Sequence, residues 1–125
     1  MEPQELGRRL LAAIAARDWE AIASCFAPTA ALRVLSPRGL REDAGPAAVA
    51  ARYAYWFGNL ERFEVLAADA TPVADRLRLR YLVRGRHPEH GWWLNEHTAY
   101  ARVEQGLIAE ITLTCTGFRP APPPV

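Results

Sequence analysis

The sequence predicts an α+β fold, with helices packed on one face of a mostly antiparallel sheet. Three observations carry this. Up to about residue 58, apolar residues recur mainly at helical spacing. Beyond it the period falls to about 2, the spacing of half-buried strands. The later strands are joined by short turn signals, Pro72 to Asp75 and Gln105-Gly106, which make hairpins.

Each element has a local reason. Leu6, Leu10, Ala13 and Ile14 place a first helix from about Pro3 to Ala16. Asp18 is an N-cap for a second, short helix with Trp19, Ile22, Ala23 and Phe26 inward, and Pro28 is expected to stop it. "TAALRVLS" reads as a strand closed by the turn Pro37-Arg38-Gly39, and "LREDAG" as a polar loop. Pro46 opens a third helix with Val49, Tyr53, Trp56 and Phe57 on one face, ended by Gly58-Asn59. Strands follow near 61–71, 76–86, 92–104 and 107–117, with a loop from His87 to Gly91. In the second of these, Leu77, Leu79, Tyr81 and Val83 share one face, and Arg78, Arg80 and Arg84 take the other. Residues 1–118 make one domain, and "RPAPPPV" at 119–125 is an extended Pro-rich tail.

A chain of 125 residues can bury a core without staples. All 15 basic residues are Arg, which excludes Schiff-base and P-loop lysine chemistry and, with the abundant Ala and Pro, points to a high-GC bacterial genome. A net charge of +1 gives no electrostatic case for nucleic acid or an acidic membrane. Cys25 and Cys115 are read as free thiols, and no metal-ligand spacing occurs. His87 and His90, with Glu89 between them, have no further ligand nearby in sequence and read as a solvated loop, as do Glu42 and Asp43. No signal peptide or apolar span is visible, so the expectation is a cytoplasmic protein without a membrane partner.

The order of elements, with "ARDWEAIASCFAPTAALRV", "GPAAVAARYAYWFG" and "ARVEQGLIAEITLTCTGF", resembles the nuclear transport factor 2-like superfamily, closest to its polyketide-cyclase-like and ketosteroid-isomerase-like members. The resemblance spans roughly Leu6 to Phe118. It implies a cone: a curved sheet around a deep apolar pocket, three helices closing one side, and a homodimer. It identifies the fold better than the activity.

The last hairpin sets which side chains face inward. With Arg102 and Glu104 solvated, alternation turns Trp93, Asn95, His97, Ala99, Ala101 and Val103 into the cone. Trp92, Leu94, Glu96, Thr98 and Tyr100 face outward, with Leu94 and Tyr100 there explained if that face is a dimer interface. Ile111, Leu113 and Cys115 point in, and Thr112, Thr114 and Thr116 point out. A β-bulge between 94 and 98 would reverse the assignment. In the resemblance, Ala99 falls where steroid isomerases carry an oxyanion-binding acid, so that mechanism is not expected; Ala99 and Ala101 would instead leave room at the pocket floor.

His97 is the candidate acid–base group, because an imidazole titrates near neutrality. Asn95, on the same strand face, and a tyrosine, Tyr53 or Tyr55, would hold a carbonyl oxygen. Tyr53, Trp56, Tyr81, Trp93, Ala99, Leu113 and Cys115 are the candidate ligand contacts. Two readings stand. One is a cofactor-independent cyclase- or isomerase-like enzyme moving a proton α to the carbonyl of a small hydrophobic molecule. The other is a non-catalytic binding or dimerisation domain, favoured by the lack of an inward carboxylate. The outer sheet face is the expected homodimer surface.

Overall fold

The computed structural model describes residues 1–125. Its elements are α1 (Pro3–Ala16), α2 (Trp19–Ala23), β1 (Phe26–Ser36), β2 (Gly39–Ala44), α3 (Pro46–Phe57), β3 (Arg62–Val73), β4 (Arg76–His87), β5 (Gly91–Glu104), β6 (Leu107–Cys115) and β7 (Arg119–Pro120). Three helices thus accompany one seven-stranded sheet of order β2-β1-β6-β5-β4-β3, with β7 attached to β5. Every pairing is antiparallel except β1 with β6. No helix is long and apolar enough to cross a membrane.

Helix α1 lays Leu6, Leu10, Ala13 and Ile14 into the core, as its spacing requires. Gly7 belongs to the same stripe: a Cβ there would stand 2.8 Å from a Leu77 methyl and 2.9 Å from the Ala70 Cβ. The helix therefore rides close against β3 and β4. Its end is built by Arg17, which adopts the left-handed conformation (φ 51°) and sends its guanidinium across to α3. Nη1 donates to the Phe57 carbonyl at 3.1 Å and the Leu60 carbonyl at 2.7 Å. Those oxygens lie at and just past the end of α3, so a cation there also suits the helix dipole. Asp18 then caps α2, its carboxylate accepting from the Ala21 N–H at 3.1 Å.

Two expectations are corrected here. Pro28 does not stop α2; the helix ends at Ala23, where Ser24 turns its hydroxyl back to the Ala21 carbonyl. Pro28 instead lies inside β1, in the stretch where the β1–β6 register breaks between Phe26 and Ala31, a place where a missing N–H costs little. "LREDAG" is not a loop: Leu40 to Ala44 form most of β2, a charged edge strand paired only with β1. The extended tail also makes contacts of its own: Arg119 and Pro120 pair with Leu94 and Trp93, and the Ala121 N–H donates to the Trp92 carbonyl.

The register of β5 falls as expected. Asn95, His97, Ala99 and Ala101 are buried, and no bulge lies between 94 and 98. The irregularity falls later, where Arg102 pairs with Glu110 and Val103 with Ile108. The extra residue, Ala109, lets Ile108 and Ile111 both face the core.

Candidate functional site

Cross-strand pairing assembles the centre of the cone. His97 stands opposite Tyr81 on β4 and opposite Cys115 on β6. The Tyr81 hydroxyl is 2.7 Å from His97 Nδ1, and the Tyr53 hydroxyl, coming from α3, is 2.8 Å from that of Tyr81. The three groups form a chain that ties helix to sheet. If Tyr81 donates to Nδ1, Tyr53 donates to Tyr81 and the imidazole proton sits on Nε2; the reverse direction puts it on Nδ1. Either way Nε2 is buried with no hydrogen-bond partner.

Aromatic rings close around this chain. Trp56 meets the imidazole edge-on at 4.8 Å between centroids, Phe57 lies at 5.8 Å and the Tyr81 ring at 4.9 Å. Burial without a charge partner pushes the His97 pKa down to about 3, so the ring is neutral. The Tyr53 hydroxyl is pushed up to about 12, and that of Tyr81 is raised as well, both chiefly by burial. Asn95 is 2% exposed. Its Nδ2 faces Cys115 Sγ at 3.4 Å, and the Gly117 N–H donates to the same sulfur at 3.3 Å.

The deep hollow expected beneath these groups is filled. Ala99, Ala101 and Leu113 are buried in one continuous core with Leu6, Leu10, Ile14 and Phe57, so Ala99 and Leu113 are packing residues without access to a ligand. The open space is higher, at the mouth: a cavity of about 580 Å³, within the usual range of small-molecule sites. Trp56, Trp93, Cys115 and Phe118 border it, and Trp56 and Cys115 separate it from His97.

The candidate residues therefore split. Trp56, Trp93, Cys115 and Tyr55 reach the cavity, whereas His97, Asn95, Tyr53 and Tyr81 lie one layer below it. Tyr55 cannot share a carbonyl oxygen with His97: it is 65% exposed, on the other side of α3 from Tyr53, with the Arg52 guanidinium 5.6 Å from its ring centroid. Tyr53 holds the internal position. Four arginines at the mouth, Arg38, Arg41, Arg52 and Arg119, were missed by sequence reasoning. Arg41 had a signal, since it pairs with inward Val34 once β2 is recognised as a strand. His87 and His90 stack at the rim with centroids 4.6 Å apart.

Comparison with known proteins agrees with this architecture. A family model described as a SnoaL-like domain matches residues 7–111. No curated protein matches the sequence. A protein with a ketosteroid isomerase-like fold from Catenulispora acidiphila, solved with trimethylamine, superposes with a TM-score of 0.72 at 14% identity over 90% of this chain and 85% of its own. A proposed polyketide cyclase from Pseudomonas putida gives 0.72 at 20% identity over 90% of each chain. A cystatin-fold protein from Novosphingobium aromaticivorans gives 0.72 at 17% identity over 90% and 97%. At these identities the likeness is one of fold.

Proposed function

We propose that this chain, which belongs to the SnoaL-like domain family, binds a small molecule with a flat apolar body and a carbonyl group at the cone mouth, and holds it without converting it. The observation that carries this is the lining of the cavity: aromatic walls from Trp56, Trp93 and Phe118, and no Asp or Glu. An imidazole with a pKa near 3 is weaker as a base than an ordinary one by roughly three orders of magnitude. It is also screened from the cavity by Trp56 and Cys115. The second partner we propose is another copy of the chain, covering the outer sheet face where Tyr100 stands exposed.

One observation favours the enzyme reading. A buried Nε2 without a partner costs stability, and a core has no need of it. If Trp56 swings aside and the imidazole proton sits on Nδ1, donated to Tyr81, the Nε2 lone pair can take a proton α to a carbonyl and hand one from solvent back to the same carbon. The two readings separate with 2-acetylnaphthalene in D2O, read by calorimetry and NMR. Binding with α-deuteration at the buffer rate is the expected result. Deuteration accelerated by the protein, and lost in His97→Gln, would replace the binder by an isomerase- or cyclase-type enzyme.

A further inference from the structure

The charge at the cavity mouth is one-sided. Arg38, Arg41, Arg52 and Arg119 border it and no carboxylate does. Arg52 is satisfied by Asp43, at 2.8 and 3.3 Å. The guanidinium groups of Arg38, Arg41 and Arg119 make no ion pair and no hydrogen bond within the chain. On the rest of the sheet the pattern is mixed: Arg33 pairs with Glu42, Arg84 with Glu64, Arg86 with Glu61 and Arg102 with Glu104, while Arg62, Arg78 and Arg80 make no ion pair. What sets Arg38, Arg41 and Arg119 apart is convergence: they come from separate places in the chain, the β1–β2 turn, β2 and β7, to the rim of one aromatic cavity.

Guanidinium groups with open donors recognise carboxylates, sulfonates and phosphates through paired hydrogen bonds. Trp56 and Trp93 beneath them offer apolar surface that such a head group alone would not use. We propose that the ligand of this cavity is an organic anion: a planar, apolar ring system bearing one carboxylate, with the rings against Trp56 and Trp93 and the carboxylate held by Arg38, Arg41 and Arg119. This rests on the binding reading above and narrows its ligand to an aromatic acid.

The test compares anthracene-2-carboxylate with its neutral amide, titrated into the protein at low and at physiological salt. The acid is expected to bind roughly tenfold tighter than the amide at low salt, as hydrogen bonds to a charged group allow. That preference should shrink as salt screens the rim. In Arg38→Gln/Arg41→Gln/Arg119→Gln, all exposed positions that leave the core intact, the acid should fall to the affinity of the amide, and the amide should stay within about twofold of its wild-type value. Equal binding of acid and amide to the wild type, or a preference that survives the triple change, overturns the anion and leaves the binding cone standing. Binding of neither compound overturns both.

Discussion

His97 is a residue whose burial has a measurable price in acid. Folded, it takes a proton only near pH 3; unfolded, near 6.5. A lowered folded pKa on a basic group means that the unfolded chain binds the proton first. Its contribution is therefore whole above pH 6.5 and is lost as pH falls towards 3. Between pH 6.5 and 5 this alone should remove stability on the order of 1–2 kcal/mol. Urea denaturation at the two pH values checks it. His97→Phe, which keeps the ring and discards the titration, should be flatter over that interval. Arg17 offers the second residue-scale test. Its guanidinium reaches the carbonyls of Phe57 and Leu60 and stacks over Phe63 at 5.4 Å. Arg17→Met keeps the stem and leaves both oxygens without their charged donor, so a loss of about 2 kcal/mol in chemical denaturation is expected.

At the scale of elements, one turn and one helix face give the tests. The β5–β6 turn is Gln105-Gly106, with φ of 52° and 76°, the geometry of a two-residue hairpin turn that favours Asn-Gly. Gln105→Asn should stabilise the protein by a few tenths of a kcal/mol, seen as a small rise in Tm. Gly7→Ala should do the opposite. Ala gains about 1 kcal/mol of helix propensity, but its methyl meets the Ala70 Cβ, which has no rotamer to escape into. Overpacking of this kind costs about 1–3 kcal/mol, so a net loss is expected by thermal melting. These elements were also the ones best read from sequence. The first helix has four apolar residues on one stripe and Pro at its start, and its bounds were legible to the residue. β5 was legible because Arg102 fixed its parity. β2 was not, because an edge strand exposed on both faces has no alternation to detect. Nor could the tail's pairing be read: Arg119 and Pro120 bind β5 through backbone groups, which leave no trace in side-chain pattern.

For the whole molecule, the family resemblance implied a cone and strand alternation its inward set, but neither said how full the cone is. Tyr53, Trp56 and Phe57 share one face of α3, and nothing in that spacing says whether they line a hollow or fill it. Filling places the accessible cavity at the mouth, where the deciding residues are the Arg side chains of a turn, an edge strand and the tail. A ligand there should act on global stability: at a free concentration a hundredfold above Kd, it should add about 2.7 kcal/mol. Anthracene-2-carboxylate in a thermal shift assay reads this directly. The dimer proposed across the outer face is checked by sedimentation at several concentrations. Tyr100→Glu, which puts a charge at the centre of that face, should shift the population to monomer.

Because Arg119 and Pro120 are clipped to β5 beside Trp93, the last five residues leave the protein at the lip of the cavity. Four of the seven residues from Arg119 onward are prolines, and such a chain extends stiffly by about 3 Å per residue. A fluorophore on Val125 would thus hang within about 15 Å of the lip. That makes this end of the chain the natural place to attach a reporter of occupancy, and the wrong place to trim.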